Sequence, residues 1–184
     1  MGRWAPGAEG RLVDAALELY AEQGFDRTTV AEIADRAGVT ERTFFRYFAD
    51  KREALFAGGQ LEARMTDAIA AADPGLSPLD AAVDGLAVAV AEIDPDFARR
   101  RNAVIAAHPA LQERELLKLH ALTRAATAAL VQRGTDPLRA ALAAEGAVAV
   151  FKVAFGQWVA ADVPGDLPAT LREVLAELRT TIEK

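Results

Sequence analysis

Within residues 36–52, five cationic side chains, Arg36, Arg42, Arg46, Lys51 and Arg52, stand against two carboxylates, Glu41 and Asp50. The chain as a whole carries a formal net charge of −6, which argues against indiscriminate coating of phosphate, since such affinity comes from counterion release by many Lys and Arg. Any nucleic-acid site must therefore be local, and this segment has the chemistry for one. Thr29 and Thr40 each precede a helical run. A Thr at a helix N-terminus and a Lys at the next one suit phosphate, while an Arg can donate bidentately to guanine O6 and N7. Phe45 offers only apolar contact, to sugar or to a thymine methyl. Glu41 could accept from a cytosine amino group or simply favour the helix dipole.

Other chemistries find little support. There is no Cys, hence no disulfide, no thiolate metal site and no cysteine nucleophile. His108 and His120 fall on different helices without carboxylate or Cys companions, so neither a metal nor a cofactor is expected. The chain has no glycine-rich phosphate loop, no nucleophile elbow, no zinc-protease helix and no carboxylate pair in an apolar setting, and an enzyme is not expected.

The elements that must position these residues are helices. Leu12, Val13, Ala16, Leu17, Leu19 and Tyr20 recur at helical spacing up to a stop at Gly24. Thr29 and Glu32 have the capping-box spacing and start a second helix, which ends before Gly38. Thr40 opens a short third helix with Phe44 and Phe48 one turn apart. Asp50 caps a fourth, predicted to continue through Leu55, Phe56, Leu61, Met65 and Ile69 towards Asp73. Ser77-Pro78, Asp94-Pro95 and Asp136-Pro137 place a capping residue before a Pro at the first helical position, and His108-Pro109 is a weaker instance. These signals predict helices near 78–92, 95–107, 109–133, 137–161 and 167–183, about nine in all. The expected fold is all-α.

Residues 29–48 thus hold helix, tight turn and short helix, the helix-turn-helix layout. Val30, Ile33, Ala34, Ala37, Val39, Phe44 and Phe48 can close a small core with the first helix, leaving Arg42, Thr43, Phe45 and Arg46 pointing elsewhere. A recognition helix needs that division, with one face held and the other free for the major groove. If Phe45 were a core aromatic as well, the third helix would keep almost no polar face.

The run from Leu12 to Phe56 resembles the DNA-binding domain of the tetracycline-repressor (TetR) family. The likeness is carried by Ala15 to Tyr20, Gly24-Phe25, Thr28-Thr29-Val30, Ile33-Ala34, Ala37 to Thr40, Phe44 to Phe48 and Lys51. It implies that Thr29, Tyr47 and Lys51 hold phosphates and that Thr40, Arg42, Thr43, Phe45 and Arg46 face the bases of a double-stranded operator. It also implies a helix-turn-helix domain over residues 1–50 and a larger helical domain for effector binding and dimerisation over 51–184. The expected function is that of a ligand-responsive regulator, a repressor released by a small effector. A helical adaptor that makes only protein contacts is the alternative, and the exposed face of residues 40–47 discriminates between them.

In the larger region the helix at 137–161 is apolar on nearly every side, which in so small a domain suggests a partner chain. The final helix carries the narrow stripe Leu171, Val174, Leu175, Leu178 and Ile182. The resemblance makes the last two helices a four-helix dimer interface, for which Val148, Trp158, Leu171, Leu175 and Leu178 are the expected contacts. An apolar cavity is expected from Met65, Ile69, Phe97, Leu119, Phe151 and Phe155, with Arg101, His108, His120 and Thr123 as polar anchors. An Arg among apolar neighbours suits a carboxylate, so the expected effector is amphipathic and anionic, unless Arg101 pairs with an acid of its own chain. Met1 to Gly10 lacks the apolar core of a signal peptide, and the longest apolar stretch, Gly146 to Ala161, is interrupted by Lys152 and Gln157 and is too short to span a bilayer. A cytoplasmic protein is expected.

Overall fold

The computed structural model describes residues 7–56 and 60–182 of the 184-residue chain. Among the described residues there are nine α-helices and no strand: α1 (Ala8–Gln23), α2 (Val30–Arg36), α3 (Glu41–Tyr47), α4 (Gln60–Ala71), α5 (Pro78–Val90), α6 (Pro95–Ala106), α7 (Pro109–Gln132), α8 (Pro137–Ala160) and α9 (Leu167–Ile182). The starts follow local chemistry. The side chains of Ser77, Asp94 and Asp136 each accept from an amide in the first turn of α5, α6 and α8, with Pro at the first helical position of each.

One expected element differs. Within the helix predicted from Asp50 to Asp73, the described residues form a short 3₁₀ turn at Glu53–Phe56 and α4 at Gln60–Ala71. Residues 57–59 themselves, like residue 183 of the predicted last helix, lie outside the described residues.

The described residues form two compact units, one within Met1–Gly58 and Asp94–Leu116, the other within Gly59–Ile93 and Leu117–Lys184. The first is built on a core of Leu12, Val13, Ala16, Leu17, Tyr20, Ile33, Phe44, Phe48 and Leu55, to which α6 and the start of α7 add Phe97, Val104, Ile105 and Leu111. The grouping thus differs from the division expected after residue 50: α6 and the first turns of α7 share the core of the helix-turn-helix.

In the second unit α5 packs against α4, α8 and α9, and α9 also lies along α8. Gly85 of α5 lets α4 approach closely: a Cβ there would stand 2.6 Å from Ile69 Cγ1 and 3.0 Å from the Met65 carbonyl oxygen. Arg133 closes the C-terminal end of α4, donating to the carbonyls of Ile69, Ala72 and Asp73 at 2.6, 2.8 and 3.0 Å.

The residues expected at a dimer contact are placed as follows. Val148, Trp158, Leu171 and Leu175 are buried within the single chain, Trp158 to 4% exposure, and Leu178 is half-buried. Trp158 also donates its indole N–H to the Gly165 carbonyl at 2.8 Å. The stripe of α9 is taken up by α5 and α8, and its outer side bears Arg172, Glu173, Glu177 and Thr180. The apolar side chains left exposed on α8 are others: Leu138, Leu142 and Val153.

Candidate nucleic-acid interface

The helix-turn-helix is set by its caps. Thr29 accepts from the Glu32 amide at 3.2 Å, while the Glu32 carboxylate accepts from the Thr29 amide and hydroxyl, both at 2.8 Å. Those bonds favour the charged carboxylate and hold its pKa below the ordinary value. At the turn, Gly38 has φ +67°, a conformation open to Gly at no steric cost, and its amide donates to the Asp35 carbonyl at 2.9 Å. Thr40 then caps α3, accepting from the Thr43 amide at 3.3 Å, and its hydroxyl lies 3.1 Å from that of Thr43.

The third helix is divided as a reading helix requires. Phe44 is 0% exposed and Phe48, just past its end, 5%, with ring centroids 5.2 Å apart; Phe45 is 56% exposed and Tyr47 39%. Arg42, Thr40 and Arg46 are exposed and Thr43 is half-buried. Arg46 donates to the Tyr47 hydroxyl at 3.0 Å, and its guanidinium carbon lies 4.9 Å from the centre of that ring.

Charge pairing redistributes the cationic cluster. Arg36 is held by Glu18 at 3.3 Å and Glu22 at 3.0 Å, and Arg52 by Asp50 at 2.6 Å. Lys51, expected at phosphate, places Nζ 2.8 Å from the Phe25 and Thr28 carbonyls, 3.3 Å from that of Asp26, and 4.3 Å from the Phe25 ring centre. An ammonium has three donors, and three carbonyls occupy them. The backbone of the same residue accepts from the Tyr20 hydroxyl, whose pKa burial pushes up. Thr29 is likewise committed, its hydroxyl proton going to Glu32. Arg42, Arg46 and Lys51 make no ion pair among the described residues, and of the three it is Lys51 whose donors are taken by backbone carbonyls.

The residues expected to line an effector cavity fall in both units. Phe97, Arg101 and His108 belong to the first unit, and Met65, Ile69, Leu119, His120, Thr123, Phe151 and Phe155 to the second. Arg101 is not a free anchor: it pairs with Glu115 at 3.0 Å, donates to the Leu55 carbonyl at 2.7 Å and lies 4.8 Å from the Phe56 ring centre. Burial pulls its pKa down, and Glu115 opposes this. His108 Nε2 meets Asp26 Oδ1 at 3.0 Å, and its ring lies tilted against that of Phe25 with centroids 4.7 Å apart. Met65 and Ile69 are fully buried core, while the rings of Phe151 and Phe155 lie tilted against each other with centroids 5.7 Å apart. His120 and Thr123 do meet, lining an open groove of about 360 Å³ with Arg124, Thr127, Ala128, Ala141 and Glu145.

Glu32, Glu115 and the exposed Leu138, Leu142 and Val153 were not singled out from the sequence as site residues. Glu32 was readable from its capping spacing and the α8 residues from that helix's all-round hydrophobicity. Nothing local marks Glu115 as the partner of Arg101.

Comparison with known proteins defines the class. Residues 12–57 match the family described as bacterial regulatory proteins, tetR family, and residues 74–183 match the MftR C-terminal domain. The chain belongs to the TetR family of transcriptional regulators, and it is a regulator and not an enzyme. Within that family its larger domain is of the kind found in MftR.

Among curated relatives, the regulator TcmR of Streptomyces glaucescens is 40% identical over 72 residues, 39% of this chain and 32% of its own. The transcriptional repressor KstR2 of Mycobacterium tuberculosis is 41% identical over 44 residues, 24% of this chain and 22% of its own. The chain thus spans a third or less of these relatives' lengths. A transcriptional regulator from Rhodococcus sp. Rha1 shares the fold, with TM-score 0.53 and 21% identity over 95% of this chain and 97% of that one. So does a regulator from Aquifex aeolicus VF5, with TM-score 0.50 and 16% identity over 95% and 99%. No helix among the described residues is long and apolar enough to cross a membrane.

Proposed function

We propose that the chain is a DNA-binding repressor that grips a palindromic duplex operator as a homodimer, with Thr40, Arg42, Thr43 and Phe45 facing the base edges. The observation that carries this is the division of α3, whose Phe44 is buried while Arg42 and Phe45 are presented to solvent. A helix that served only as protein scaffold has no need of that exposed aromatic beside an unpaired guanidinium. The name of KstR2 as a repressor supports repression here. Selection of bound duplexes from a randomised pool tests the proposal: a twofold-symmetric consensus is expected, whereas a pool that stays random points to the adaptor alternative.

The dimer is proposed through the outer face of α8. Leu138, Leu142, Ala149, Val153, Gly156 and Ala160 are exposed at spacings that place them on one side of this helix. Small residues allow a second α8 to approach closely, and a twofold axis would make the contact isologous. Two such subunits would present their recognition helices to half-sites about one DNA turn apart, or a multiple of it.

Release by an amphipathic effector completes the proposal. The effector must bind one arrangement of the helices better than another, since equal affinity shifts no equilibrium. The groove beside His120 and Thr123 is the site proposed for it, in place of a cavity anchored by Arg101. Residues 1–50, together with the α6 segment that shares their core, would act as the DNA-reading domain, and the remainder would carry effector and dimer contacts, in the cytoplasm.

A further inference from the structure

Resting on the effector groove proposed above, we propose that the groove between α7 and α8 takes a small zwitterion, with Arg124 meeting its carboxylate and Glu145 its ammonium. The ligand class follows from the charge of the two walls and from the protons they have left to give.

His120, Thr123, Arg124 and Thr127 recur on α7 at steps of three and four, so they share one side of that helix. Ala141 and Glu145, four apart, do the same on α8. The space that these two sides line is about 360 Å³, at the lower end of the range for small-molecule sites. Its aliphatic lining residues are Ala128 and Ala141, which leave room for the stem of a ligand.

The walls carry opposite charge. Arg124 on α7 and Glu145 on α8 are both exposed, and neither makes an ion pair or a side-chain hydrogen bond among the described residues. Two unpaired charges of opposite sign sum to zero, so a ligand of single charge would satisfy one wall and oppose the other. A molecule with a carboxylate at one end and an ammonium at the other satisfies both. The guanidinium fork of Arg124 matches the two oxygens of a carboxylate, and Glu145 accepts from the ammonium.

The hydroxyls on either side of Arg124 offer only lone pairs. Thr123 Oγ1 donates to the Leu119 carbonyl at 3.3 Å and Thr127 Oγ1 to the Thr123 carbonyl at 2.9 Å, so both protons are committed to the backbone of α7. A second anionic group laid along this wall would face oxygens with no proton to give, whereas an N–H would be accepted. The purely anionic effector expected from the sequence rested on Arg101, which Glu115 already holds. In the groove the unpaired guanidinium comes with an unpaired carboxylate on the other helix, and the ligand that fits is neutral overall.

The test titrates the full chain by calorimetry with linear ω-amino carboxylates, from ω-aminobutanoate to ω-aminooctanoate. The alkanoate and the alkylamine of matching length serve as single-charge probes. One zwitterion of the series is expected to bind about tenfold more tightly than either of its single-charge counterparts, the worth of one charge-assisted hydrogen bond. Arg124→Gln should bring that zwitterion down to the affinity of the alkylamine, and Glu145→Gln to that of the alkanoate. The exchanged pair, Arg124→Glu with Glu145→Arg, should recover the zwitterion, bound end for end. Both positions are exposed, so these changes leave the core intact. The proposal is overturned if the alkanoate or the alkylamine binds the unmodified protein as tightly as every zwitterion, if neither Gln variant weakens the zwitterion, or if no member of the series binds. Binding in the groove that leaves the affinity for the selected duplex unchanged would keep the ligand class and defeat the effector role instead.

Discussion

The ammonium of Lys51 donates to the carbonyl of Thr28 at 2.8 Å, one residue before the Thr29 that caps α2. It ties the end of the helix-turn-helix segment back to the loop that introduces it. The side chain ties together the loop between α1 and α2 by donating to the carbonyls of Phe25, Asp26 and Thr28.

Lys51→Met should therefore act on stability. Loss of the charged donor to the Phe25, Asp26 and Thr28 carbonyls is expected to cost about 1–3 kcal/mol in a urea titration. A variant as stable as the parent would show that water replaces the ammonium without penalty.

Arg42→Ala should act on sequence preference. It is expected to cost about 1–3 kcal/mol on the selected operator and to relax the preference at one base pair per half-site. Anisotropy titrations against single-base variants of that operator measure this. Equal weakening on every sequence would move Arg42 from base to backbone.

Self-association should respond to α8 and not to the α9 stripe. Leu142, 65% exposed, and Val153 replaced by Glu should give well-folded monomers by light scattering. Trp158→Ala, at a buried site, should instead lower stability by about 3–5 kcal/mol. Dimers of undiminished affinity after both α8 changes would rule out this face.

Acid should loosen the start of α2. The Glu32 pKa is held below its ordinary 4.5 by the amide and hydroxyl of Thr29. A depressed carboxylate stabilises the fold above the unfolded value and loses that contribution as pH falls through the folded one. The Thr29 amide proton should shift upfield in NMR as Glu32 titrates below 4.5. Glu32→Gln, which keeps an acceptor at the same place, should remove that titration; its persistence would assign the effect to another carboxyl group.

Helix starts were legible in the sequence because capping is local: Thr29 with Glu32, and Asp94 and Asp136 before Pro, each need only the next few residues to do their work. The inward and outward sides of α3 were legible for a similar reason, since Phe44 and Phe48 recur at one turn. What was lost concerned partners far along the chain. Arg101 on a helix face looks the same whether it awaits a carboxylate ligand or already holds Glu115. The stripe of α9 has the same period whether it meets its own α5 and α8 or a second subunit, so periodicity identifies a buried face and not what buries it.

Gly85 gives the second unit a caliper. With the missing Cβ facing the Met65 carbonyl as well as the tip of Ile69, an added methyl meets backbone that cannot rotate aside. A graded series at this position, from Ala to Ser to Val, would act as shims of increasing thickness between α4 and α5. The separation of those two helices is thus adjustable through one side chain, without touching any residue proposed to meet DNA, a second subunit or an effector.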